Sequence, residues 1–143
     1  MKIKQLSVFL ENKKGRLYEA LSVLAKEGIN IRALTIADTS DFGILRMIVN
    51  NADAAKRALE ETGFTTKITN VVAIGVKDRP GGLAEVLKYL YEADINVEYL
   101  YAFVEKSGEE AVVVLRTNNL DKTIDILSQR GIKLFDSQTI ENI

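Results

Sequence analysis

The sequence predicts an α+β chain of two consecutive βαββαβ units, and three observations carry that prediction. The first is an internal repeat, the feature that most changes how a chain is read. A slide of 66 places matches Gly15 with Gly81, Leu17 with Leu83, Glu19 with Glu85, Leu24 with Leu90, Ile29–Asn30 with Ile95–Asn96, and Leu34 with Leu100. After a two-residue insertion near Ser107–Gly108 the slide becomes 68 and matches Asn50 with Asn118, Leu59 with Leu127 and Gly63 with Gly131. The second is that apolar spacing switches between a period of 2 and a helical period in the same order in both copies. The third is that glycine punctuates the same joints: Gly15 and Gly81 before one helix, Gly63 and Gly131 after the other.

In the first copy Leu6, Val8 and Leu10 alternate with Ser7 and Phe9, as in a strand with two different faces. A loop through Asn12–Gly15 follows, and then Leu17, Ala20, Leu21, Leu24 and Ala25 share one helix face, closed by Gly28 at a left-handed C-cap. A second strand runs from Ile29 to about Ala37. Its apolar parity changes between Ile31 and Leu34, which predicts a bulge near Arg32–Ala33. Asp38 to Gly43 has turn composition, Ile44 to Val49 is apolar enough for a central strand, and Asn50 or Asn51 caps a helix reaching Thr62.

The second copy repeats this with Val72–Val76, Leu83–Glu92, Ile95–Val104, Ala111–Thr117, Leu120–Gln129 and a last strand from Lys133 to about Ile140. The units are read as residues 1–70 and 71–143. No linker separates them, because 65–76 is strand-like almost throughout. Each βαββαβ unit gives a four-stranded antiparallel sheet with two helices on one face, the ferredoxin-like arrangement. Units near seventy residues are marginal alone, and their charges differ: 11 basic and 8 acidic groups in 1–70 against 8 and 12 in 71–143. Opposite signs favour docking of the halves.

With no Cys and no His, the usual zinc, haem, iron–sulfur and blue-copper ligands are missing, as are disulfides and Cys–His or Ser–His–Asp machinery. No constellation of Lys or carboxylates converges at catalytic spacing, so neither an enzyme nor a cofactor is expected. A net charge of −1 argues against a nucleic-acid footprint. No apolar run approaches the eighteen or so residues that span a bilayer, and the amino terminus lacks a signal-peptide core, so a cytoplasmic protein is expected.

The chemistry concentrates in the first loop of each copy, Asn12-Lys13-Lys14-Gly15-Arg16-Leu17 and Asp78-Arg79-Pro80-Gly81-Gly82-Leu83. Each stands where a strand ends and a helix begins, so N–H groups of the first turn face a guest with the positive end of the helix dipole behind them. A carboxylate or phosphate suits that place. Glycine lets a ligand approach the main chain, and Pro80 presets the helix start. The plainer alternative is that Asn12 and Asp78 only cap the helix. A second marker recurs with the loop: Asn30 and Asn96 open otherwise apolar strands, where Asn is disfavoured without a hydrogen-bonding reason.

On these residues the chain resembles the ACT domains, amino-acid-sensing regulatory modules, in tandem and over essentially its whole length. Asp78 to Leu100 is similar to that family's first loop, helix and second strand, and Asn12 to Ile31 fits as well, with Lys14 in place of the proline. The resemblance implies two units paired side by side in one eight-stranded antiparallel sheet, with a small amino acid at the seam. It further implies one site of Asn12, Lys14, Gly15, Arg16 and Leu17 with Asn96, and a twin of Asp78, Pro80, Gly81, Gly82 and Leu83 with Asn30. Some members carry a His two residues before the loop Asn. Leu10 and Val76 stand there, which points to an effector with an apolar side chain. Asp78 repels an α-carboxylate and suits an α-ammonium, so the two sites are expected to be unequal. A homodimer and a partner enzyme of amino-acid metabolism are implied too.

The competing reading is a structural or protein-interaction module using Tyr99, Tyr101 and Phe103, which alternate along one strand face. An aromatic sheet face can stack RNA bases, but the basic excess that RNA binding needs is missing. Tyr89 and Tyr91 cannot share a helix face, so one is expected at the core rim and the other in solvent. Glu109–Glu110 reads as a solvated turn.

Overall fold

A computed structural model describes residues 1–142, with side chains described everywhere except at 104–106. The chain divides into two compact units, Lys4–Thr69 and Asn70 to the carboxy terminus, the latter including Met1–Ile3.

In the first unit β1 (Ile3–Glu11), α1 (Arg16–Lys26), β2 (Ile31–Asp38), β3 (Phe42–Val49) and α2 (Ala52–Glu61) lead into β4 (Thr65–Lys77). The strand order is β2-β3-β1-β4, with β3 central as its apolar run predicts. Leu6 faces Met47 and Val8 faces Leu45 across the antiparallel β1–β3 pair. Leu6, Val8 and Leu10 project to the same side as Leu45 and Met47, and Ala20 and Leu24 of α1 with Ala55 and Leu59 of α2 cover them. Burying one such leucine contributes about 1.5–3 kcal/mol, so this single face holds both helices. The β2–β3 register slips between Ile31 and Ala33, at the predicted bulge.

The second unit repeats the plan with α3 (Gly82–Glu92), β5 (Val97–Ser107), β6 (Glu110–Thr117), α4 (Leu120–Gln129), β7 (Leu134–Phe135) and α5 (Ser137–Glu141). Its order is β5-β6-β4-β7, and Val72, Ile74, Val76, Val86, Leu90, Leu115 and Leu127 form its core. Tyr89 packs against that core while Tyr91 is 83% exposed, the division their spacing requires.

Three expectations change. Among the described residues the strands number seven rather than eight, because β4 runs unbroken for 13 residues and supplies the last strand of one unit and the first of the next. The predicted strand from Lys133 to Ile140 shrinks to Leu134–Phe135. Asp136 stops it by capping α5, its Oδ1 accepting from the Thr139 N–H at 2.8 Å, and Ile140 is buried from that helix. Finally β2 and β5 start at Ile31 and Val97, leaving Asn30 and Asn96 just outside.

The caps follow composition. Asn51 accepts from Ala54 N–H and Asn119 from Lys122 N–H at the starts of α2 and α4. After α1, Gly28 takes φ +68°; after α3 the same left-handed position is held by Asp94 at φ +59°.

Candidate functional site

The two loops singled out by the repeat have the same construction. Lys13-Lys14-Gly15-Arg16 is a turn closed by Arg16 N–H to the Lys13 carbonyl at 3.3 Å, and Arg79-Pro80-Gly81-Gly82 one closed by Gly82 N–H to the Arg79 carbonyl at 3.0 Å. Gly15 and Gly81 sit third in their turns at φ +91° and +82°, which a glycine adopts without strain, and Pro80 stands second where its fixed φ belongs.

These glycines are also the N-caps of α1 and α3. Neither helix has a side-chain cap, whereas α2, α4 and α5 each have one from Asn51, Asn119 and Asp136. The N-cap position itself is held by glycine, three residues beyond Asn12 and Asp78. Asn12 instead ties its loop to the turn after β2, donating from Nδ2 to the Ser40 carbonyl at 3.0 Å and from its N–H to the Asp41 carbonyl at 2.9 Å. A glycine N-cap brings no side-chain oxygen of its own to the first-turn N–H groups, which stand at the positive end of an eleven-residue helix and favour an anion.

Each loop lines a depression in its own unit. In the first, Asn12, Arg16 and Leu17 face Leu10, Ile36, Asp38 and Gly43 around about 200 Å³. In the second, Asp78 joins Lys77, Arg79, Gly108, Glu109 and Glu110 around a wider 710 Å³ depression. The first has an apolar wall and the second a wholly charged or glycine lining. Glu11 beside the first loop has its carboxyl held below the usual range by the hydrogen bond from Lys13, 2.9 Å away.

The remaining predicted residues are placed as follows. Lys14, Gly15, Pro80, Gly81 and Leu83 shape the loops without lining these depressions. Arg16 turns its guanidinium onto the Phe64 ring, 4.3 Å from its centre, with Nη1 on Glu19 Oε2 at 2.8 Å. Gly82 backs so closely on the end of β4 that a Cβ there would meet the Lys77 carbonyl oxygen at 2.0 Å.

Asn30 stands at the opposite end of β2 from the loop of its own unit, which Asn12 ties to the turn after that strand, some 25 Å away at ~3.3 Å per residue. Asn96 is set off from its loop by β5 in the same way. The backbone reason for these positions lies in a pair the sequence reading passed over. Asn30 N–H donates to Asn50 Oδ1 at 3.0 Å while Asn50 N–H returns to the Asn30 carbonyl at 3.2 Å, and Asn96 with Asn118 repeats both bonds at 3.0 and 3.1 Å. The matching Asn50 and Asn118 in the repeat was the available signal. The side chains of Asn30 and Asn96 stay exposed.

The aromatic face of β5 is not an open platform. Tyr101 and Phe103 are only 7% and 8% exposed, which removes the surface on which the interaction-module reading depends. Among the described residues no group of three or more His, Cys, Asp or Glu could hold a metal ion, and no helix is long and apolar enough to cross a membrane.

A family model described as an ACT domain pair matches residues 1–143. The chain belongs to this family. The acetolactate synthase small subunit of Buchnera aphidicola subsp. Baizongia pistaciae is 32% identical over 142 residues, covering 90% of this chain and 89% of the relative. Among solved structures, protein BT0572 from Bacteroides thetaiotaomicron is 45% identical with a TM-score of 0.93, covering 100% of this ACT domain pair and 98% of that chain. The ligand-free regulatory subunit of aspartate kinase from Thermus thermophilus has a TM-score of 0.64 at 16% identity, covering 88% and 91%, a likeness of fold. One of these relatives is thus named as a small subunit.

Proposed function

We propose that this ACT domain pair is a non-catalytic regulatory subunit that binds a small amino acid at its glycine-capped loops and reports to an enzyme of amino-acid metabolism. The supporting observation is selective: the two helices that begin at the repeated loops are the two long helices without a side-chain cap. A carboxylate at such a terminus gains about 0.3–1 kcal/mol from the dipole, and up to ~2 kcal/mol when partly buried, before any side chain is counted.

The first loop receives the α-carboxylate, because Lys14 adds a positive charge next to Gly15 in the sequence, Lys13 and Arg16 being paired with Glu11 and Glu19. Leu10, Leu17 and Ile36 give its depression an apolar wall, which selects an effector with an apolar side chain. The second loop, with Asp78 beside Glu109 and Glu110, favours the α-ammonium and binds more weakly or a different effector. Residues 1–70 and 71–143 each act as one ACT domain, and Asn30 and Asn96, exposed at the strand starts, are free of burial for a role in binding.

A homodimer fits the free edge of the first unit. Strand β2 pairs only with β3, and Leu34 and Ile36 on it are 39% and 41% exposed. A relative named acetolactate synthase small subunit supports the partner being a larger catalytic chain, and a cytoplasmic location accords with that role.

Calorimetric titration with the twenty amino acids tests the proposal. An apolar amino acid is expected to bind, and Gly15→Ala, which puts a Cβ at φ +91°, is expected to weaken it at least tenfold. Heats indistinguishable from dilution for all twenty at millimolar concentration would overturn it.

A further inference from the structure

Three residues of the first unit form a row across its sheet, on the face that the helices cover. Leu10 pairs with Gly43 in the β1–β3 register, and Gly43 pairs with Asp38 in the β2–β3 register. Directly opposed residues of antiparallel strands send their side chains to the same face, about 5 Å apart. Leu10 and Asp38 therefore stand on either side of a gap, because the residue between them has no side chain. Gly43 is not among the glycines at positive φ, and a Cβ there would meet Ile36 Cγ2 at an ordinary 3.5 Å. Neither backbone conformation nor packing demands a glycine at this place. The second unit has Ala111 at the matched position.

The gap lies in the depression beside the first loop, whose volume of about 200 Å³ is room for six or seven waters at ~30 Å³ each, the bulk of a small amino acid. The depression has a fixed rim. Asn12 holds the turn after Asp38 against the approach to α1 with its bonds to the Ser40 and Asp41 carbonyls, and Thr39 N–H closes that turn on the Phe42 carbonyl at 2.7 Å. The charges around it are unequally engaged. Glu11 is paired with Lys13, and Arg16 is paired with Glu19 and stacked on Phe64. Asp38 lines the same depression, is exposed, and among the described residues pairs with no cation.

An amino acid whose carboxylate lies at the start of α1 carries its ammonium and its side chain on the next carbon. It needs an unpaired carboxylate and an apolar wall within reach of each other. Asp38 and Ile36 are two residues apart on one face of β2, and Leu10 and Leu17 extend the wall. Resting on the reading that the first loop receives the α-carboxylate, we propose that Asp38 is a specificity residue of that site: it accepts from the α-ammonium, so the site takes an α-amino acid and rejects the 2-oxo acid with the same side chain. The ammonium makes a charge-assisted hydrogen bond. The 2-oxo acid instead sets a carbonyl oxygen against the carboxylate and leaves Asp38 unpaired, which is discrimination by repulsion as well as by attraction. Gly43 leaves the space that the bound Cα and ammonium occupy.

Calorimetric titration of the full chain with alanine, valine, leucine, isoleucine, methionine and phenylalanine, each beside its 2-oxo acid, tests this. For an amino acid that saturates, the 2-oxo acid is expected to bind at least tenfold more weakly. Asp38→Asn is expected to weaken the amino acid tenfold or more while the 2-oxo acid binds as well as before or better, so that the preference collapses. Gly43→Ala is expected to keep the melting temperature of the parent and lose affinity for both ligands, which separates lost space from a lost fold. A 2-oxo acid that binds the parent as tightly as its amino acid, or amino-acid affinity unchanged in Asp38→Asn, would overturn the role of Asp38 and leave the loop reading standing. Absence of heat from every amino acid would overturn the loop reading and this inference with it.

Discussion

Gly82→Ala is a severe test of the loop geometry, because two opposing terms can be weighed. As a residue of α3, alanine is favoured over glycine by about 1 kcal/mol in helix propensity, which includes the entropy that glycine loses on folding. Against this, the new methyl carbon lands 2.0 Å from the Lys77 carbonyl oxygen, a backbone atom, and has to retreat about 1.4 Å to reach an ordinary 3.4 Å contact. That retreat drags the start of α3 away from β4, and overpacking of this kind costs typically 1–3 kcal/mol and occasionally more. A backbone atom at 2.0 Å puts the cost in the upper part of that range, about 2–3 kcal/mol, so the balance is a net loss of roughly 1–2 kcal/mol, or about 3–8 °C in Tm at this chain length. Urea unfolding with and without the substitution measures it. Gly81→Ala is the control for a different cause: nothing lies within 4 Å of its added Cβ, but φ is +82°, and the left-handed conformation costs a side chain about 1–2 kcal/mol. Stability of Gly82→Ala equal to or above the parent would refute the close approach of helix and strand.

Other consequences can be measured on the same protein. Asp94→Gly relieves a non-glycine residue at φ +59° and is expected to stabilise the chain by about 0.5–1 kcal/mol in urea unfolding, since Asp tolerates this region better than most. Asn119→Ala removes the side-chain cap of α4, with an expected loss of about 1 kcal/mol by the same assay. The Asp136 carboxyl is held below its ordinary value by the Thr139 N–H, so its stabilisation of α5 is full above the usual carboxylate range near 3.9 and is lost as pH falls through the lowered folded value. Amide exchange at Thr139 should rise in that acid window, and Asp136→Asn, which still caps, should abolish the dependence.

Much of the fold was legible because the duplication supplies two readings of each element. The bulge at Ile31–Ala33, the caps at Asn51 and Asn119 and the division between Tyr89 and Tyr91 all follow from periodicity and composition. The last strand was misjudged because Leu134, Phe135 and Ile140 are apolar in both readings; what separates them is Asp136 followed by Thr139, a cap pattern that outweighs β-propensity there. The strand count changed because two strands predicted end to end, with only Asn70 between them, are one. At the loops, residue type named the place but not the roles. Asn and Asp usually cap, which kept capping open as the alternative for Asn12 and Asp78, while the left-handed glycines at the N-cap carry no hydrogen-bonding side chain to advertise it. The Arg16 stack on Phe64 joins residues 48 apart, beyond any local pattern.

The central claim is that the uncapped first turns of α1 and α3 receive an amino acid, and its most direct test is a nitrogen–proton correlation spectrum of the labelled chain during titration with each amino acid that gives heat. The account predicts that the largest shifts fall on the amides of Gly15, Arg16 and Leu17, with Gly81, Gly82 and Leu83 moving less or with a different effector. Shifts that leave both sets of amides unmoved while another region responds would contradict it.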